Sequence, residues 1–149
     1  MINTPITKKA NEIAQRVFSG KTDITGYPCM RMRNAVATQM KNEFTVAIAL
    51  LMDVYDYSGL NYMTLMKEGM PMRVAFALCR FKQINGEPHT DYLKRLAADD
   101  ELVYPVALAA TEYLSNLNNY KENTVKTIAE YAHYSTTCYF LKLYHNGKS

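Results

Sequence analysis

The stretch FTVAIALLMDVY, residues 44–55, decides the fold. Val46, Ala47, Ile48, Ala49, Leu50, Leu51 and Met52 follow one another without a polar interruption. A helix made from them is apolar nearly all round, so it has to be enclosed by other elements. On its N-terminal side, residues 30–40 suit a helix with Met32, Val36 and Met40 inward, and residues 21–28, with Gly26, Tyr27 and Pro28, read as a loop. Earlier still, Thr4 and Pro5 form an N-cap and first helical position, after which Ile6, Ala10, Ile13, Ala14, Val17 and Phe18 recur at helical spacing up to Gly20. Beyond the central run, Ser58 and Gly59 break the helix and a short one runs over 61–68. Pro71 then starts another, with Val74, Ala75, Ala77, Leu78 and Phe81 as its buried positions. Asn85, Gly86, Glu87 and Pro88 make a turn, and residues 89–98 suit a short helix. Asp99 is expected to cap a long helix reaching about Asn118, with Pro105 near its first turn or at a kink, and Asn123 to cap a last helix over 123–146. No strand pair, internal repeat or low-complexity segment competes, and the expected fold is all-α, a compact helical bundle around a buried central helix.

The chain's 149 residues suit one domain with a sizeable core. At 48% apolar and 21% charged, it lies well away from disordered compositions. A net charge of +3 with scattered Lys and Arg gives no strong nucleic-acid or membrane signal. Cys29, Cys79 and Cys138 lack any short paired spacing, so reduced packing thiols are expected. With no secretory signal and no membrane-length apolar run, a soluble cytoplasmic protein is expected.

Five segments carry the functional information: GYPCMRMRNAVA at 26–37, LLMDVYDYSG at 50–59, GMPMRVAFAL at 69–78, GEPHTDYLKRL at 86–96 and EYLSNLN at 112–118. In order and spacing they resemble the HD-domain metal-dependent phosphohydrolases, in particular the branch that hydrolyses the alarmone (p)ppGpp. The resemblance covers residues 26–118. It implies a divalent metal held by a first His, a His-Asp pair on the central helix and a later Asp. Such a metal neutralises phosphate charge and lowers the pKa of a bound water.

Carried over position by position, the first His falls on Met32, the His of the pair on Met52, and its Asp is kept as Asp53. The later Asp falls on Glu112 or on Ala110, depending on the alignment. The acidic pair that positions water in the alarmone hydrolases reads Asp56 and Tyr57. Thioether sulfur is too soft for Mn(II) or Mg(II), so the resemblance implies a pseudoenzyme with no cofactor and no catalytic residues beyond the remnants Asp53, Asp56 and Glu112. A copper site from Met32 and Met52 is outweighed by ordinary Met packing.

Binding of a protein partner or a nucleotide is then the expected function, as suits a phage or mobile-element inhibitor or decoy. Arg31 and Arg33, flanking the altered first-ligand position, are the preferred phosphate-binding candidates, ahead of Arg73, Arg80 and Arg95. Tyrosines crowd the C-terminal half, where they either fill the core edge or face a partner. His89, His133 and His145 match no ligand position of the family, and His89 is expected in a turn as a surface or packing residue. The alternative is an active phosphohydrolase of (p)ppGpp or a related nucleotide, using Mn or Mg on a rebuilt site of Asp53, Asp56 and Glu112.

Overall fold

Thr4 opens the first helix as its sequence predicts. In the computed structural model, which describes residues 1–147, the Thr4 hydroxyl accepts from the Thr7 amide and the Thr7 hydroxyl accepts from the Thr4 amide. This reciprocal cap satisfies two otherwise orphaned donors, and Pro5 takes the first position of α1 (Pro5–Phe18). There follow α2 (Cys29–Gln39), α3 (Glu43–Leu51), α4 (Val54–Tyr57), α5 (Tyr62–Lys67), α6 (Met72–Cys79), α7 (His89–Ala98), α8 (Tyr104–Leu114), a 3-10 turn (Leu117–Asn119) and α9 (Val125–Asn146). Among the described residues the one extended pairing is an isolated bridge between Thr22 and Pro28. The fold is all-α.

α3 is the axis. Asn42 caps it by accepting from the Phe44 and Thr45 amides at 3.0 and 2.9 Å. Every residue from 45 to 51 is buried, with α1, α2, α6 and α8 packed around it. Fully burying side chains such as Ile48, Leu50 and Leu51 stabilises the fold by about 1.5–3 kcal/mol each. The sequence predicts one helix through Tyr55, but α3 ends at Leu51. Asp53 takes the left-handed conformation (φ 65°), and the chain restarts in the single turn of α4. Asp is one of the few residues that tolerates that backbone.

A buried guanidinium holds this corner. Arg33 projects from α2 with only 1% of its side chain exposed. Its Nε and Nη2 both donate to the Met52 carbonyl, at 3.1 and 2.7 Å, and its Nη1 donates to the Cys29 carbonyl at 3.0 Å. The carbonyl just past the C-terminus of α3, which lacks a helical partner, thus meets a cation at the negative end of the helix dipole. The Phe18 ring lies 3.9 Å from the guanidinium carbon and closes the other side.

Two further helix starts differ from expectation. Asp99 caps no long helix; its carboxylate accepts from the Glu101 and Leu102 amides and pairs with Arg80. α8 starts only at Tyr104, with Pro105 in its first turn. Thr124, not Asn123, caps α9, again by a reciprocal bond with Thr127. Phe81 and Met40 are half-buried and lie beyond the ends of their helices. Cys29 and Cys138 are buried as expected, but Cys79 is exposed.

Candidate functional site

α9 lies across α7 and α8, and between this layer and the Met52–Asp53 corner is a cavity of about 380 Å³. Met32, Met52, Asp53 and Ala110 all line it. Three positions carried over from the family pattern, on α2, at the end of α3 and on α8, therefore meet at one place with Asp53. Glu112 does not join them. It lies on the outer side of α8, where its carboxylate pairs with Lys142 of α9 at 3.3 Å. Helical spacing explains the choice: Val106, Ala107, Ala110 and Leu114 share the buried face of α8, and position 112 falls off it.

The other candidates separate. Arg33 is a correction to the phosphate-binding expectation, because its donors are committed to backbone carbonyls and to Asp53 Oδ2 at 3.3 Å. Arg31 is exposed, stacks on the Tyr27 ring at 3.7 Å, and is not among the residues lining the cavity. Asp56 faces a neighbouring pocket of about 180 Å³ that shares Asp53 and Phe81 with the cavity, and Lys82 Nζ lies 3.7 Å from its carboxylate. The Tyr57 ring packs edge-on against Phe18. Arg95 pairs with Glu87, and Arg73 covers the Phe44 ring. A larger groove of about 510 Å³, between the α2–α3 connection and residues 100–105, contains none of the positions carried over from the family.

The cavity has a buried apolar floor, with Met32, Met52, Leu93, Leu96 and Leu141 among its residues. Its exposed rim carries two side chains that the family pattern does not pick out, His89 and His133. His89 is the first residue of α7 and not a turn residue, and its Nδ1 lies 3.3 Å from the Gln83 side-chain oxygen. Four rings follow one another along the rim: Tyr92 to His89 at 6.0 Å, His89 to His133 at 5.8 Å, and His133 to Tyr134 at 5.1 Å between centroids. One signal for the far side was present in the sequence, since 133, 134, 137 and 141 fall on one face of a helix. Their meeting with residues 89 and 92 depends on how α9 docks.

Among the described residues, Asp53 is the one carboxylate on the cavity wall. Its side chain is about half exposed (49%), but the concave wall displaces much of the surrounding bulk water. That desolvation pushes its pKa above the usual carboxylate value. Arg33 opposes the rise, while Asp56 and Asp23 add to it. Burial pushes the Tyr92 phenol up to about 12, and its hydroxyl donates to the Phe81 carbonyl at 2.6 Å. Tyr92 thus offers the cavity a neutral ring. Burial also raises the pKa of Tyr134.

No protein-family model matches the chain, and no curated protein matches it. The donor set at the corner does not fit the divalent metal that the resemblance implies. Two thioethers, a methyl group and a single carboxylate already in contact with a guanidinium are not a cage for a hard cation. Among the described residues, no three His, Cys, Asp or Glu side chains come together as a metal-binding group. Among the same residues, no helix is long and apolar enough to cross a membrane.

Proposed function

We propose that the chain is a catalytically silent, HD-like helical binding domain that takes a small organic molecule into the cavity beside Asp53. One observation carries this: the positions of Met32, Met52 and Ala110, which would be ligands in an active relative, converge on a roomy apolar wall of that cavity. A mostly apolar pocket of this size with a few convergent polar groups is the usual form of a small-molecule site. The Met side chains line the space without filling it, so about 380 Å³ stays open. The phosphate-clamp form of nucleotide binding loses its support, because Arg33 is committed to the fold and Arg31 is not among the residues lining the cavity.

The test has two arms. Immobilised protein is exposed to a bacterial small-molecule extract and the retained compounds are identified by mass spectrometry, with Ala110→Trp as the blocked control. In parallel, (p)ppGpp is incubated with the protein and Mn(II). The expected result is a compound retained by the parent and not by Ala110→Trp, with no turnover. Turnover abolished by Asp53→Ala, or retention of nothing, overturns the proposal.

A further inference from the structure

The charge and ring composition of the cavity narrows its ligand. Among the described residues no Lys or Arg lines it, and the one carboxylate on its wall is that of Asp53. The nearest cations are already engaged, Arg33 with Asp53 at 3.3 Å and Arg95 with Glu87 and one side of the Tyr92 ring. The rim is a continuous run of four aromatic rings, Tyr92, His89, His133 and Tyr134, spaced 5.1–6.0 Å apart. The phenol faces of Tyr92 and Tyr134 carry negative quadrupole potential and attract cations, most strongly where water is excluded, and neutral imidazoles do so more weakly. Asp53 shares that wall, and its contact with Arg33, at 3.3 Å and through one oxygen only, leaves the carboxylate facing solvent and the cavity. The floor beneath is apolar and suits a hydrocarbon body.

Resting on the small-molecule reading above, we infer that the cavity's ligand is an organic monocation. Its ammonium group sits between the Tyr92–His89–His133–Tyr134 arc and Asp53, and its apolar body lies on Met32 and Met52. The hydroxyl of Tyr92 is taken by the Phe81 carbonyl, so Tyr92 contributes its ring. A neutral alcohol of the same shape would use the floor equally well and could donate one hydrogen bond to the acid, but would gain neither the ion pair nor the cation–π attraction. The distinguishing property is therefore cation preference and not affinity alone.

Three probes of matched shape separate the cases: phenethylamine, 2-phenylethanol and phenylacetate, each titrated into the full chain at pH 8, where an ordinary imidazole is neutral. Binding is followed by two-dimensional amide NMR. Phenethylamine is expected to bind about tenfold more tightly than 2-phenylethanol, the scale of a partly desolvated cation–π contact, and phenylacetate not at all. Asp53→Asn should narrow the difference to about twofold, and Asn tolerates the left-handed backbone at that position. Tyr134→Leu, which keeps apolar bulk and removes a ring, should narrow it as well, and serves if Asp53→Asn does not fold. Equal binding of the amine and the alcohol, or a preference for phenylacetate, overturns the cation assignment and leaves the cavity a receptor. Binding of none of the three overturns both.

Discussion

α3 is the central helix and α9 an outer one, and the two are held in place by different means. α3 is short, buried at every position from 45 to 51, and ends on a guanidinium that is itself buried. α9 is more than twice as long, yet only Thr137, Cys138 and Leu141 of its residues are buried, and Val125 is 88% exposed. The cavity has one wall from each region: the Met52–Asp53 corner from the first, and His133, Tyr134, Thr137 and Leu141 from the second. A fixed inner wall places Asp53 reproducibly. The outer wall is less deeply buried, and less deeply buried regions open at lower free-energy cost.

The contrast breaks most readily at Arg33. Arg33→Met keeps an apolar stem but orphans the Met52 carbonyl, at about 1–3 kcal/mol, and removes the second donor from the Cys29 carbonyl. Thermal unfolding should show a loss of roughly 10 °C, and a loss within a degree or two would mean that the corner is not held as described. On the outer wall, Leu141 is fully buried, and Leu141→Ala should cost about 2 kcal/mol, the low end for such truncations, because α9 can settle inward. Chemical denaturation measures it, and a cost near 5 kcal/mol would make the two walls equally rigid.

A smaller effect belongs to Asp53. Its pKa is raised on folding, so its charged form weakens the fold. That penalty is absent below the ordinary value near pH 4 and grows as pH rises through the higher folded value. Asp53→Asn should therefore gain stability relative to the parent between pH 3.5 and pH 7, read as the difference in Tm at the two pH values. A relative loss over that range would mean that the Arg33 pairing outweighs desolvation. Smallest of all, Val125→Ala should change stability by less than about 0.5 kcal/mol, while amides near residue 125 exchange far faster than those of α3.

The local signals in the sequence were dependable where chemistry within four residues decides the outcome. Thr4 and Pro5 set the start of α1, and the apolar run identified the axis. The end of that axis was not legible, because nothing in LLMDVY forbids continued helix. The break is set by a guanidinium on α2, 19 residues before Met52 in the chain. The same tertiary contact made Arg33, an apparent phosphate ligand, into a core residue. That Ala110 and not Glu112 lines the cavity was legible in principle, since of the two only position 110 shares a helical face with 106, 107 and 114. The histidine rim was beyond reach: residues 89 and 133 belong to helices whose docking no local pattern fixes.

What most directly tests the central claim, that the corner of Met32, Met52, Ala110 and Asp53 serves binding and not metal chemistry, is a titration of the metal-stripped protein with Mn(II), followed by electron paramagnetic resonance. Only free aqueous Mn(II) is expected up to millimolar concentrations. A bound signal saturating at micromolar Mn(II) and lost in Asp53→Ala would contradict it.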